Sequence, residues 1–253
     1  MRRSIRGLAG LAGFLLLWEL ASLTGFFDPR YVPSPVTVAT RLAGLFGHAD
    51  FVTDLIATVL AWLIAILTAT AIAVPLGLLL GGFRVLREAT GAVVEFLRPV
   101  PSVALIPAVM AAFGDGAQTK IIAAIFASVW PILFNVIYGL RDVDPQFIDT
   151  ARVFRTGWWR TATRVRLPAV LPFALTGVRL SAAISLVVIV STEFLSGSGI
   201  GIGSYFYLAG QASGDIPLVV VGVVLAGLLG LLVNYVLLRV NRRFMSWSGE
   251  SAG

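Results

Sequence analysis

Six apolar stretches, at 8–27, 56–83, 90–113, 120–140, 169–195 and 217–240, decide what this chain can fold into. Each reaches, or nearly reaches, the roughly 20 residues that a helix needs to cross a bilayer. Inside the hydrocarbon no water satisfies backbone N–H and C=O groups, so such stretches must be helices that bond internally. Composition agrees: of 253 residues 58% are hydrophobic and 13% charged, where soluble domains carry about 25% charge. The expected fold class is all-α, a polytopic membrane protein with about six transmembrane helices in one domain over 1–253. Cysteine is absent and His48 is the single histidine, which excludes disulfides, thiolate chemistry and a cysteine- or histidine-cluster metal site.

The N-terminal run has basic residues before an apolar core, like a signal peptide. Glu19 interrupts that core, and the run exceeds the ~7–15 residues of a signal core. A retained first transmembrane helix is expected.

Arginine and lysine set the expected orientation, because cytoplasmic loops carry them in excess. Arg2, Arg3 and Arg6 precede the first stretch, Arg84 and Arg87 follow the second, six arginines lie in 141–168, and Arg239, Arg242 and Arg243 close the last. The opposite side holds Arg30, Arg41 and Lys120. Both termini are therefore expected on the cytoplasmic side of the membrane. The net charge of +6 is read as this loop bias rather than as a nucleic-acid surface.

Several residues stand out against the apolar background. In the third stretch Arg98-Pro99-Val100-Pro101 interrupts the helix, since proline removes a backbone donor and biases its predecessor away from helix. Two readings stay open: a hinge lining a pathway, or an interfacial Arg98 with prolines that start the helix. The fourth stretch has Pro131 and Asn135 four residues apart, where an interhelical hydrogen bond is the plainer reading. In the fifth, Gly177, Ser181 and Ser185 recur at the spacing that lets helices approach closely. Arg179 and Glu193 are its only charges. Arg179 is read as structurally partnered or pathway-lining, and Glu193 as either a pathway group or an interfacial anchor. Candidate pathway or gate residues are thus Arg98, Pro99, Pro101, Asn135, Arg179, Ser185 and Glu193.

Two connections invite specific expectations. Pro35, after Pro33-Ser34, could open a short surface helix, with a plain loop as the alternative. The glycines of 196–215 mimic a phosphate loop, but no strand precedes them and no lysine follows. A short re-entrant or outer-surface segment is expected there.

The segment 149–168 is the one long, strongly charged stretch, with Arg152, Arg155, Arg160, Arg164 and Arg166. Asp149-Thr150-Ala151, followed in register by Leu167-Pro168, resembles the signature loop of ABC importer permeases: Glu-Ala-Ala, three residues, Gly, then a terminal Leu-Pro. Arg155 stands at the glycine position, and Gly157 two residues on offers another place for the turn. LLLWELAS at 15–22, PSP at 33–35, LRPVPSVALIPAVMAAFG at 97–114, GVRLS at 177–181 and STEFLSGSGIG at 191–201 resemble the nitrate/sulfonate/taurine-type permeases.

That resemblance implies a permease domain with a type I importer core at about 56–243 and a cytoplasmic coupling loop at about 141–168. Asp149, Thr150, Ala151, Arg152, Arg155, Gly157, Arg160, Leu167 and Pro168 would form the ATPase-coupling element. It implies a second permease subunit (a homodimer in this group), two cytoplasmic ABC ATPases and an extracytoplasmic substrate-binding protein. ATP and Mg2+ would sit on the ATPase, leaving this chain with no cofactor and no enzymatic site. The implied solute is a small anion such as nitrate, an aliphatic sulfonate or taurine. A vitamin precursor carried by related permeases is the alternative. A self-sufficient channel or secondary transporter fits less well, because the prolines of the third stretch have no counterpart in the second half. A membrane enzyme lacks any HExxH or Ser–His pairing.

Overall fold

The computed structural model describes residues 2–24, 28–97, 100–197 and 199–244, and among them only helices and their connections occur. In chain order they are α1 (Arg2–Leu23), α2 (Pro35–Leu45), α3 (Ala49–Gly82), α4 (Arg84–Leu97), a 3-10 turn (Ser102–Leu105), α5 (Ile106–Phe113), α6 (Ala117–Arg141), α7 (Pro145–Val153), α8 (Trp158–Thr161), a π turn (Ala162–Arg166), α9 (Leu167–Ser196), α10 (Ile202–Ala212) and α11 (Ile216–Phe244). Among the described residues five helices are long and apolar enough to cross a membrane: α1, α3, α6, the run from α8 through α9, and α11. A sixth exists only if α4 and the 102–113 segment count together as one bent span.

That third span differs from the sequence reading of one helix over 90–113. Helix α4 starts six residues earlier and stops at Leu97, and helix resumes at Ser102 behind Pro101, which holds an extended backbone. Pro107 then sits in the first turn of α5, where its missing N–H costs nothing. Arg98 and Pro99 lie outside the described residues.

The chain divides into two compact units. In the unit of Val59–Thr192 with Gly230–Gly253, α3 presents small residues every fourth position: Ala61, Ala65, Ala69, Ala73, Gly77 and Gly81. The four alanines are buried. A Cβ added at Gly77 would come within 2.6 Å of Val136, and one at Gly81 within 2.6 Å of Leu140. Helix α6 is therefore seated against the bare backbone of α3. Between helices in lipid this contact replaces the hydrophobic drive that water would supply. Ile132, Leu133, Val136 and Ile137 of α6 fill one core with Val170 and Ala174 of α9. Helix α9 meets α6 by the same device. A Cβ at Gly177 would lie 2.8 Å from the Ile132 Cα, and the buried Ser181 donates to the Ser128 carbonyl at 2.6 Å.

In the unit of Met1–Thr58 with Glu193–Leu229, α1 is largely exposed, as a lipid-facing helix must be. It is tied to the following connection by Trp18 Nε1 on the Pro33 carbonyl and Ser22 Oγ on the Val32 carbonyl. The short helix opened by Pro35 is present as α2: the Ser34 hydroxyl accepts the Thr37 N–H and Pro35 is in the first turn. Phe51, fully buried, packs edge-on against Phe46, Tyr205 and Phe206. Arg41 and Asp215 form a salt bridge at 2.7 Å.

Candidate functional site

The arginine-rich segment is built as helix, turn and helix. Asp144 Oδ1 accepts the Gln146 N–H at 2.8 Å, and Pro145 is the first residue of α7. An acidic cap followed by proline is a strong helix start. Asp149 and Thr150 of α7 are exposed, and Ala151 is buried. Arg152 is on the same helix, its side chain outside the described set.

Helix α7 ends where Arg155 takes a left-handed conformation, φ 50. The Thr156 N–H then reaches back to the Ala151 carbonyl at 2.9 Å, and the Thr156 hydroxyl shares that acceptor at 2.6 Å. This is the six-to-one bond of a Schellman cap, with Arg155 at the position that usually holds glycine. Gly157 has φ −63 and caps the start of α8. The turn has thus stayed in register at Arg155 and has not moved to Gly157. A side chain there costs about 1–2 kcal/mol against glycine.

From Trp158 the chain is helical without a break to Ser196. At ~1.5 Å per residue this run exceeds the ~30 Å hydrocarbon core by more than half again, so one end projects beyond the bilayer. The π turn at Ala162–Arg166 falls immediately before Leu167-Pro168. Pro168 has no N–H for the carbonyl four residues back, and a widened turn is one way a helix passes such a point intact. Two contacts seat the projecting end. Trp158 stacks on Phe83 at 5.7 Å, and the Arg166 guanidinium lies 2.6 Å from where a Gly82 Cβ would be. Both lie at the C-terminal end of α3, where a positive charge is favourable.

What the segment leaves uncovered is apolar. Phe147, Val153, Phe154 and Trp159 are each more than half exposed. The exposed Arg155 lies between Phe154 and Trp159 in sequence, and the exposed Arg160 and Arg164 follow Trp159. Large apolar side chains that face water and are rimmed by charge mark an interaction surface.

The candidate pathway residues do not form one cluster. Asn135 Nδ2 donates to the Pro131 carbonyl of its own helix at 2.7 Å, an intrahelical bond where an interhelical one was the plainer expectation. Arg179 Nε donates to Asn234 Oδ1 of α11 at 2.7 Å. Ser185 is buried and donates to the Ala182 carbonyl at 3.1 Å. A cavity of about 410 Å³ lies between the 3-10 turn, α6 and α9, and Ser102, Trp130, Asn135 and Tyr138 supply its polar lining. Among the described residues no carboxylate lines it. Neither Arg179 nor Ser185 is among its lining residues.

Glu193 is 2% exposed and sits at the start of α10. Its carboxylate accepts the Thr58 hydroxyl at 2.9 Å and the Gly203 N–H at 3.1 Å. Thr58 Oγ1 in turn accepts the Ile202 N–H at 3.0 Å, and Asp54 Oδ1 accepts the Gly201 N–H at 2.9 Å. Three successive donors at a helix N-terminus, which have no partner within the helix, are thus answered by three side chains. A Cβ at Gly201, whose φ is 151, would collide with the Glu193 carboxylate. Burial, with Asp50 and Asp54 adding, holds the Tyr205 phenol of α10 above its usual range.

Sequence reasoning singled out Glu193 without its partners. Asp54 and Thr58, one helical turn apart, were the legible signal, and so was the four-residue run of small residues along α3. The Asp-Pro start of α7 and the Thr156 anchor of its end were also missed.

Five helices long and apolar enough to cross a membrane, one of them continuous with a capped loop, define a polytopic helical membrane protein among the described residues. The chain belongs to the family described as binding-protein-dependent transport system inner membrane component, which matches residues 73–246. It is 29% identical over 251 residues to the bicarbonate transport system permease protein CmpB of Synechococcus elongatus, covering 95% of this chain and 86% of that one. It is 32% identical over 168 residues to the nitrate import permease protein NrtB of Leptolyngbya laminosa, covering 66% and 60% respectively. In fold it is similar to a chain of the MetNI methionine ABC transporter in an inward-facing conformation. There the TM-score is 0.64 at 19% identity, over 78% of this chain and 97% of that one.

Proposed function

We propose that this permease conducts a small anion inward, as part of a binding-protein-dependent importer, and that residues 141–168 couple it to a separate ATPase. The observation that carries the coupling is the exposed apolar tip: Trp159 is on a helix continuous with α9, and Val153 and Phe154 stand at the turn that precedes it. A rigid lever of this kind transmits a displacement of its tip to the transmembrane helix without dissipating it in a flexible joint. ATP and Mg2+ belong to the partner subunit. On the arginine bias the loop and both termini are cytoplasmic, and the whole chain acts as one permease domain. A second copy completes the path, and an outer binding protein delivers the solute.

The anion reading rests on the relatives named for bicarbonate and nitrate and on a cavity whose described lining residues include no carboxylate. Asn135 lines that cavity, while Arg179 is engaged by Asn234. Pathway roles for Arg179, Ser185 and Glu193 are less favoured than structural ones, given their partners.

Deleting 150–161, or reversing the charge of Arg152 and Arg160, is expected to abolish co-purification with the ATPase while the membrane domain still inserts. Undiminished association after the deletion would sink the coupling role. The solute is tested separately by the thermal shift of the binding protein across a ligand panel, since a ligand stabilises by RT ln(1 + [L]/Kd).

A further inference from the structure

The end of α6 and the middle of α4 line a second, smaller cavity, of about 110 Å³ and open on one side, that the transport reading does not use. Leu80, near the end of α3, and Arg141, the last residue of α6, both line it. It therefore lies at a membrane boundary rather than in the hydrocarbon. The charged lining is Arg87, Arg141 and Glu95, with Thr90 and Tyr138 adding hydroxyls.

Helix α4 is two-faced at 3.6 residues per turn. Val85, Leu86, Val93 and Phe96 are exposed and share one side, while Arg87, Thr90, Gly91, Val94 and Glu95 line the cavity from the other. An exposed apolar side and a polar, charged side are what a helix lying in the headgroup layer requires. The arginines are held in place. Arg87 Nη1 reaches the Gly81 carbonyl at 3.5 Å, and the Arg141 guanidinium lies 5.7 Å from the centre of the Tyr138 ring. A Cβ at Gly91 would meet nothing within 4 Å, so the absent side chain leaves the cavity room.

We infer that this cavity binds the headgroup of an aminophospholipid, its phosphate on Arg87 and Arg141 and its ammonium on Glu95. Two guanidinium groups from different helices line one cavity, and each offers an oxyanion planar donors. The single carboxylate beside them selects a headgroup that also carries a donor cation. A lipid is favoured over a free ion because the opposite side of α4 exposes Val85, Leu86, Val93 and Phe96, which suit acyl chains. The inference does not depend on which solute is carried. A free oxyanion, including the permeant one, is the competing source of the same chemistry.

The assembled transporter, purified in mild detergent, is analysed by native mass spectrometry for retained lipid. Phosphatidylethanolamine is expected to stay bound to the wild type. Its occupancy should fall about tenfold in Arg87→Gln/Arg141→Gln, the loss of about 1.4 kcal/mol of binding. Gly91→Leu keeps every charge but fills the cavity, and should give the same loss with the subunits still assembled. Glu95→Gln should erase the preference for phosphatidylethanolamine over phosphatidylcholine. Unchanged retention in both the arginine double variant and Gly91→Leu would overturn the proposal. So would displacement of the lipid by inorganic phosphate, which would assign the cavity to a free anion.

Discussion

The turn that opens α10 and the loop that joins α7 to α8 make an instructive pair, because both place a residue at positive φ beside charged side chains and end in opposite states. At the α10 turn glycine occupies the unusual conformation, and the backbone donors of 201–203 are met by Asp54, Thr58 and a buried Glu193. At the α7–α8 turn an arginine occupies it, and apolar side chains stand in solvent. The first region is closed on itself, with its polar groups satisfied internally. The second leaves large apolar side chains exposed, and its internal bonds hold the turn between α7 and α8. An intramembrane charge is commonly a functional group, yet here a buried carboxylate with several internal partners is the better candidate for a purely structural role.

The contrast breaks most visibly at Glu193. Glu193→Ala leaves the Gly203 N–H buried without its acceptor, at about 1–3 kcal/mol, and leaves the Thr58 hydroxyl only the Asp54 carbonyl at 3.1 Å. Gly201→Ala drives a methyl group into the same carboxylate. Both should lower the unfolding temperature of the purified protein sharply and reduce its yield. If Glu193→Ala kept full thermal stability and lost only transport, Glu193 would be a pathway group after all and the contrast would fail.

At the other region the loss should fall on partnership alone. Replacing Phe154 and Trp159 together by Ser removes exposed apolar area, so the stability of the isolated permease should change by no more than about 0.5 kcal/mol. Affinity for the ATPase should fall by at least about 2 kcal/mol if these are anchor residues. Titrating labelled ATPase onto the permease, alongside its melting curve, separates the two effects. A large drop in melting temperature with unaltered binding would mean that these side chains are buried by the permease itself.

How much of this was legible beforehand follows from what each signal requires. The spans were legible because lipid forces any apolar stretch of about 20 residues into helix, whatever its neighbours. The register of the loop was legible because Asp149-Thr150-Ala151 and Leu167-Pro168 are separated by a fixed length of chain. The break after Leu97 was half legible: the prolines mark it, but the placement of α4 depends on what its polar side packs against. The partners of Glu193 were not legible, because Thr58 is 135 residues away and sequence separation carries no contact information by itself. The stripe from Ala61 to Gly81 was legible and unread. It differs from the Gly177–Ser181–Ser185 pattern only in being longer.

Arg155 gives the smallest effect and the sharpest one. Its backbone is already left-handed, the cap bond from Thr156 to the Ala151 carbonyl is already made, and its side chain is exposed. Arg155→Gly should therefore remove about 1 kcal/mol of backbone strain without altering the turn. Part of that gain is offset by the greater freedom of glycine in the unfolded chain. The expected result is a melting temperature equal to or slightly above that of the wild type. ATPase affinity should fall only by what one rim charge contributes, about 0–1 kcal/mol. Gly157→Ala is the matched control: φ there is ordinary and a Cβ would meet nothing within 4 Å, so it should be tolerated. Were Gly157→Ala the damaging change and Arg155→Gly neutral in every assay, the bend would lie at Gly157, and the loop would be a displaced variant of the family signature rather than an in-register one.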